Sequence, residues 1–306
     1  MRLPPRVTVV EVGPRDGLQN ESVSLTVADK VAFIDRLADA GLPVIEVGAF
    51  VSPKWVPSMA DTDAVVAALS RRPGVRYAAL VPNLVGIERA AAARITDIAL
   101  FGATSETFSR RNINQSIADS FATFRVVMPR ALALGMRVRG YLSTCFGCPY
   151  EGDVPPARVV ELTRALLDLG VVEVAISDTI GVATPGQVWR VLGALAPVVP
   201  IGSIALHLHD TRGAALANVL AGLQAGVTIF DASCGGLGGC PYAPGATGNL
   251  ATEDLVAMLH GLGIDTGVDL EALLGVSTFI ADRIGGRLPS RYFQAWRATA
   301  GRGEAW

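Results

Sequence analysis

The sequence has few cysteines and no long apolar run, and these two absences exclude whole classes of protein. Four cysteines among 306 residues are too few for a disulfide scaffold. No stretch reaches the ~18 consecutive apolar residues of a membrane span, and the start, MRLPPRVTVVEVG, lacks the apolar region and cleavage site of a signal peptide. We therefore expect a cytoplasmic protein with reduced thiols and no membrane partner.

An excess of charge is also absent. The formal net charge is −2, from 26 basic and 28 acidic residues. Without a strong positive field the chain has no general attraction for nucleic acid or for anionic lipid. Neither is expected as a partner, and chemistry on a small molecule is favoured instead.

Short runs rich in Val and Ile recur along the chain, and most are followed by Ala- and Leu-rich segments of helical period. The predicted strands cover residues 7–13, 43–49, 76–82, 97–103, 137–143, 171–178, 203–210 and 229–236. The predicted helices include 27–40, 116–134, 157–169, 185–196, 214–225 and 252–262. Strands that are apolar on both faces and separated by helices indicate a parallel sheet covered by helices.

Eight such units favour a closed (β/α)8 TIM barrel over an open sheet. No Gly- or Pro-rich linker divides the chain, so we predict one domain over residues 1–306 with a helical tail from about residue 269. A Gly-rich loop follows the eighth predicted strand. In this fold the chemistry lies at the carboxyl-terminal ends of the strands and in the loops after them.

Polar residues occur where the barrel predicts a functional rim. His207 and His209 stand two apart on a predicted strand, so both imidazoles point to one side, close enough to hold one metal ion. The alternative, hydrogen-bonded core histidines, is the better interpretation for a single His. Barrel closure brings Asp16, after strand 1, near this pair. A carboxylate with two imidazoles suits a six-coordinate divalent ion with positions open for substrate. The third histidine, His260, is expected on the surface.

Other charged side chains on the same rim have two interpretations each. The guanidinium of Arg15 suits a carboxylate or an enolate oxygen, or else forms a structural ion pair with Asp16 or Glu46. Glu46 and Asp178 either orient a ligand or Arg15, or act directly as acid and base.

The cysteines give weak signals by themselves. Cys145 and Cys148 form a CxxC pair, but no second pair and no thioredoxin-like context accompany it. We interpret them, and Cys234 at the end of the last predicted strand, as small buried or loop thiols.

Six segments together resemble one enzyme family over nearly the whole chain. They are EVGPRDGLQNE (11–21), FVSPKWVPSMADT (50–62), FGCPYEG (146–152), DTIGVATPG (178–186), HLHDTRGAALAN (207–218) and GLGGCPYAPGATGNLATEDLV (236–256). The chain resembles the 3-hydroxy-3-methylglutaryl-CoA lyase family. This resemblance implies a carbon–carbon lyase that cleaves 3-hydroxy-3-methylglutaryl-CoA into acetoacetate and acetyl-CoA with Mg²⁺ or Mn²⁺, in leucine catabolism and ketone body formation.

The resemblance also implies site residues. The residues that match the family's metal ligands are Asp16, His207, His209 and Asn249. Those that match its catalytic set are Arg15, Glu46, Asp178 and Cys240. The reaction needs a base for the tertiary hydroxyl, for which Asp178 and His207 are both candidates, and Arg15 to stabilise the enolate. Cys240 is then the predicted donor of the carbon proton; its alternative is an incidental small residue in a turn.

Coenzyme A requires contacts beyond the reacting atoms. Arg110 and Arg111 follow the fourth predicted strand on the same rim, where they either bind its phosphates or form a solvated charged pair. The resemblance adds Asn112 and Tyr141 as pocket residues, and it makes a homodimer the expected assembly.

Three other functions stay open. A relative acting on a bulkier 3-hydroxyglutaryl-CoA, such as one with an isohexenyl chain, would keep the same catalytic residues. A synthase or aldolase using a 2-oxo acid is disfavoured by the Cys240 loop. A zinc or redox module built on the cysteines is the weakest alternative.

Overall fold

Eight parallel strands close into a barrel in the computed structural model, which describes residues 3–19, 21–239 and 248–300. The strands follow one another around the barrel in chain order, and the first pairs with the last. Their bounds are β1 Thr8–Glu11, β2 Val44–Ala49, β3 Arg76–Leu80, β4 Asp97–Ala103, β5 Arg137–Ser143, β6 Glu173–Asp178, β7 Ile204–Leu208 and β8 Ile229–Ala232. The predicted TIM barrel is confirmed.

Helices surround the barrel. They are α1 Val27–Asp39, α2 Thr62–Ala68, α3 Leu84–Ala92, α4 Glu106–Ile113, α5 Ile117–Ala133, α6 Pro156–Asp168, α7 Pro185–Leu195, α8 Ala215–Gln224, α9 Thr252–Gly261, α10 Leu270–Ile284 and α11 Arg291–Ala300. Side-chain caps set several starts, as Ser116 and Thr184 do in capping boxes at α5 and α7. The core lies between the barrel and this helical layer, where Phe33, Ile34 and Leu37 of α1 are fully buried.

Six strands are shorter than the sequence predicted, and β1, β7 and β8 among them end early, just before residues of the rim. β1 stops at Glu11 because Gly13–Gly17 form a π-helical turn. β7 stops at Leu208. β8 stops at Ala232 rather than at Gly236, because Gly235 and Gly236 adopt φ of +70° and +74°, which a strand does not accommodate. The chain therefore leaves the barrel earlier than predicted, with Cys234 in a short 3-10 turn.

The C-terminal helices α10 and α11 are present as expected, and they support the base of the Gly-rich loop. The Ser290 N–H donates to the Gly235 carbonyl at 3.0 Å. A Cβ on Gly235 would lie 2.5 Å from Leu288, so this approach needs glycine. Within the described ranges, none of the helices has both the length and the apolar character needed to cross a bilayer.

Candidate active site at the carboxyl-terminal rim

A tight turn after β1 presents Arg15 and Asp16 to the barrel mouth. The backbone N–H groups of both residues donate to the Val12 carbonyl, at 3.1 and 2.8 Å, which curls the chain over the end of the strand. The buried Arg15 then donates from Nε to Glu46 Oε2 at 2.7 Å and from Nη1 to Asp16 Oδ1 at 2.6 Å. One guanidinium thus binds a carboxylate from β2 and its own neighbour.

Asp16, His207 and His209 come together as the sequence predicted. His207 Nε2 lies 3.2 Å from His209 Nε2 and 3.9 Å from Asp16 Oδ2. All three donor atoms fall within 4.8 Å of one another, and this trio is the group of metal-ligating side chains found in the described part of the chain. Two facing imidazole nitrogens beside a carboxylate make a mixed N/O set that fits a divalent ion.

Electrostatics keep His209 and Asp16 in the state that a metal ion requires. Burial lowers the pKa of His209 to about 3, so its ring is neutral at pH 7 and has a free lone pair. Burial by itself raises the pKa of Asp16, but Arg15 and the two histidines outweigh that effect and hold it well below its usual range. Asp16 is therefore an anion.

Asn249 reaches the same cluster from the far end of the Gly-rich loop. Its side-chain nitrogen donates to Asp16 Oδ2 at 2.9 Å, and its backbone pairs with His209. The described ends of the loop touch here: the Asn249 N–H donates to the Gly238 carbonyl at 3.2 Å. A Cβ on Gly248 would sit 1.8 Å from that carbonyl oxygen, so only glycine fits. The loop begins and ends against the candidate metal site.

Asp178 is the last residue of β6 and is buried. Each of its carboxylate oxygens accepts a backbone N–H, from Val182 at 3.0 Å and from Ala183 at 2.9 Å. Burial nevertheless raises its pKa to about 6, and His207 is one of the nearby charges that oppose the rise. A carboxyl group with a pKa close to neutrality can take up and return a proton.

Tyr141 lies inside the barrel, in contact with the catalytic candidates. Its hydroxyl donates to Glu46 Oε2 at 3.2 Å, and its ring is edge-on to His207 with the centroids 5.8 Å apart. The guanidinium carbons of Arg15 and Arg139 lie 5.3 and 4.9 Å from the ring centre. Burial raises the pKa of the Tyr141 phenol well above its usual value of 10, so the hydroxyl stays protonated. Tyr141 thus helps to hold Glu46 and Arg15.

The three other residues predicted to contact coenzyme A lie on the exterior. Arg110, Arg111 and Asn112 are exposed near the end of α4. Arg110 pairs with Glu106 at 3.0 Å, and the guanidinium of Arg111 lies 4.2 Å from the ring centre of Tyr150. These three side chains are exposed, whereas Tyr141, which the sequence grouped with them, is buried.

Cys240 lies outside the described residues, so its predicted role stays a prediction. The other three cysteines are buried free thiols, as expected. Cys148 donates to Ser105 Oγ at 3.0 Å and Cys145 donates to the Leu142 carbonyl at 3.0 Å. His260 is exposed, in agreement with the sequence.

Sequence reasoning missed three charged residues around the site, of which Asp231 and Glu11 are buried and Arg139 is mostly buried. Asp231 of β8 contacts His207, Arg139 of β5 contacts Asp231, and Glu11 of β1 supports the loops. Asp231 and Glu11 each interrupt an otherwise apolar run, in IFDAS and TVVEV, and Arg139 is the second arginine of RVRGY. A charged side chain within a strand that packs in the interior needs a charged or hydrogen-bonding partner, so these residues could have been recognised from the sequence as parts of a polar network.

Glu11 joins the Arg15 turn to the base of the Gly-rich loop. Its Oε1 accepts the N–H groups of Gly13 and Cys234, both at 2.8 Å, and its Oε2 accepts the Thr252 hydroxyl at 2.7 Å. Burial outweighs these bonds and raises its pKa from 4.5 to about 7. Because the folded state binds this proton more tightly, the associated stability is complete below pH 4.5 and is lost as the pH rises through about 7.

We expect Glu11→Gln to remove this loss. The amide keeps an acceptor for the two N–H groups and offers a donor to the Thr252 hydroxyl. Urea unfolding at pH 5 and pH 8 should show the variant gaining about 2.5 kcal/mol relative to wild type over that range. The control, Glu161→Gln at an exposed site, should change the free energy of unfolding by less than about 0.5 kcal/mol at either pH. An equal gap between Glu11→Gln and wild type at both pH values would contradict the assignment.

The fold and this rim define a class. A parallel eight-stranded barrel whose carboxyl-terminal rim carries an aspartate and a His-x-His pair is a (β/α)8 enzyme fold with a candidate metal site. Within that class the chain belongs to the HMGL-like family, whose model matches residues 6–280.

The chain is similar to hydroxymethylglutaryl-CoA lyases over almost its whole length. The chain is 52% identical over 293 residues to the mitochondrial hydroxymethylglutaryl-CoA lyase of Rattus norvegicus, which covers 96% of this chain and 90% of the relative. The crystal structure of hydroxymethylglutaryl-CoA lyase from Pseudomonas aeruginosa matches with a TM-score of 0.96 and 51% identity, over 98% of this chain and 100% of that one. An HMG-CoA lyase from Acinetobacter baumannii, solved with coenzyme A and 3-methylmalate, matches with a TM-score of 0.91 and 38% identity over 95% of both chains.

Proposed function

We propose that this protein is a carbon–carbon lyase that cleaves 3-hydroxy-3-methylglutaryl-CoA to acetoacetate and acetyl-CoA. The observation that carries the proposal is the meeting of Asp16, His207 and His209 beside the buried Arg15 at the barrel mouth. These groups are what a retro-aldol cleavage needs: a site for a Lewis acid and a fixed cation for a developing oxyanion. The similarity to hydroxymethylglutaryl-CoA lyases supports the choice of substrate.

Mg²⁺ or Mn²⁺ is the metal we propose, one ion per chain. Asp16, His207 and His209 would hold it, and Asn249, whose side chain already contacts Asp16 at 2.9 Å, would supply the fourth ligand through its carbonyl oxygen. The donor set fits because it pairs two neutral imidazoles with hard oxygens. A divalent ion held by these residues would acidify and orient the substrate's tertiary hydroxyl.

The chain's own residues then handle the proton and the charge. Asp178, buried and with a pKa near neutrality, accepts the hydroxyl proton; His207 is the other candidate. Arg15, held by Glu46 and Asp16, presents a fixed positive charge to the enolate of the thioester as the carbon–carbon bond breaks. Cys240 is the proposed donor of the proton that converts this enolate to acetyl-CoA.

The remaining assignments are proposals of the same kind. We propose that Arg110, Arg111 and Asn112, which are exposed, meet the phosphates or the nucleotide of coenzyme A. We propose a homodimer in the cytoplasm, with the chain forming one barrel domain; the similar proteins include a cytoplasmic lyase of Rattus norvegicus, 48% identical. The reaction places the protein in leucine catabolism and ketone body formation.

A panel of 3-hydroxyacyl-CoA thioesters tests the function. Acetyl-CoA release from the methyl substrate should be fastest with added Mg²⁺ or Mn²⁺ and should vanish after chelation, and His209→Ala should weaken metal binding in a titration. Faster turnover of an isohexenyl analogue would assign the larger substrate. Full turnover by protein shown to be metal-free by elemental analysis would refute the metal site.

The pH profile tests Asp178. If its carboxylate is the base, only the ionised form works, so kcat/KM should rise with pH and reach half its plateau near pH 6. Rates measured from pH 5 to 8 should be unchanged when the metal concentration is doubled, which separates this titration from loss of metal. A flat profile between pH 5 and 7 would exclude Asp178 as the base.

A further inference from the structure

A buried chain of charged groups ends on the imidazole of His207, on the side away from the candidate metal site. His207 Nδ1 lies 3.1 Å from Asp231 Oδ2, while its Nε2 faces His209 and Asp16. The other oxygen of Asp231 accepts from Arg139 Nη2 at 2.6 Å. Asp231 is only 2% exposed, so water does not compete for these bonds.

We propose that Asp231 is a positioning residue that keeps the hydrogen of His207 on Nδ1, so that Nε2 presents a lone pair to the metal. The inference rests on the proposed metal site. Neighbouring strands create the contact, because His207 of β7 and Asp231 of β8 are paired in the barrel register. A carboxylate only accepts hydrogen bonds, so the ring nitrogen facing it must be the donor.

Arg139 maintains Asp231 as that acceptor. Besides its bond to Asp231, its guanidinium lies beside Glu173, with Nε 2.8 Å from Oε1, and donates to the Tyr141 hydroxyl at 3.1 Å. These partners come from β5 and β6, so the orientation of Asp231 is set from across the barrel interior. The same guanidinium favours the ionised carboxylate over a protonated one, which would reverse the hydrogen bond to His207.

Asp231→Asn gives a sharp test because the two polar atoms of the asparagine side chain differ: the oxygen only accepts hydrogen bonds and the nitrogen only donates them. Arg139 has only donors, so the amide oxygen of the variant stays with Arg139 and the amide nitrogen turns to His207. That nitrogen donates, which forces the His207 hydrogen onto Nε2 and blocks the metal position. We expect Mn²⁺ affinity to fall roughly 10–100-fold, the usual effect of removing such a partner.

The tautomer can be read directly in the metal-free protein. The chain contains three histidines, so proton–nitrogen correlation spectra of protein labelled at histidine give few signals, with the exposed His260 as reference. At pH 8 we expect the His207 hydrogen on Nδ1 in wild type and on Nε2 in Asp231→Asn. Calorimetric titration with Mn²⁺ gives the affinities, and thermal unfolding checks that each variant is folded.

Asp97→Asn is the matched control. Asp97 begins β4 and pairs with Arg76 at 3.2 Å, so the variant loses the same charge inside the barrel region without touching His207. Its Mn²⁺ affinity should equal that of wild type. A His207 hydrogen on Nε2 in wild type, or wild-type Mn²⁺ affinity in folded Asp231→Asn, would overturn the proposal. If wild type binds no Mn²⁺, the proposed metal site fails, whereas the wild-type tautomer still decides the role of Asp231.

Discussion

Replacing Cys240 with alanine is expected to lower kcat by roughly 10²–10⁴-fold, the usual contribution of a positioned acid. The thiol is the predicted donor of the carbon proton. The described residue two positions before it lies beside the candidate metal site. Only Gly239 separates Cys240 from Gly238, and a Cβ on Gly238 would lie 2.7 Å from the Asn249 side chain.

The matched variants separate chemistry from packing. Cys240→Ser keeps the size but offers a much less acidic proton, so it should also be slow. Cys148→Ala removes a buried thiol that donates to Ser105 Oγ at 3.0 Å and accepts the Tyr150 N–H at 3.4 Å, and it should keep near-normal kcat. Metal affinity should be unchanged in all three variants. Wild-type turnover by Cys240→Ser would show that the thiol is not the proton donor.

Arg15→Lys is expected to lower kcat by roughly 10²–10³-fold, as loss of an oxyanion-stabilising donor does. A lysine keeps the charge but not the planar fork that binds Glu46 and Asp16 at the same time. The ammonium would satisfy one carboxylate and leave the other poorly paired, so the positive charge would no longer be fixed where the enolate forms. Because this contact strengthens only as the enolate develops, kcat should fall more than KM changes.

Arg283→Lys is the control for this change. Arg283 also combines a carboxylate, Asp29 at 2.7 Å, with an aromatic ring, Phe279 at 4.8 Å from the guanidinium carbon. It lies on the exterior, and its replacement should leave kcat unaltered. If Arg15→Lys turns over at the wild-type rate with the protein folded, a general positive charge suffices and the fork has no catalytic role.

The sequence determined the barrel and much of its rim. Strand and helix periods are local properties of the chain, so six predicted helices end within one or two residues of the observed ones. The His207–His209 pair is local as well, because alternation along one strand places both rings on one side. Asp16 needed only one further inference, that a closed barrel returns its first strand to the last.

Tertiary structure decided which charges meet inside the barrel. The contact between Asp231 and His207 depends on the register of two strands, and that between Arg139 and Asp231 on the barrel's interior, neither of which is encoded in the spacing along the chain. The strand end at Ala232 was also set this way, because the next N–H, of Ser233, donates to the Leu250 carbonyl at 2.9 Å. Side chains separated by many residues interact only after closure, and closure assigned Tyr141 to the interior and Arg110 to the exterior.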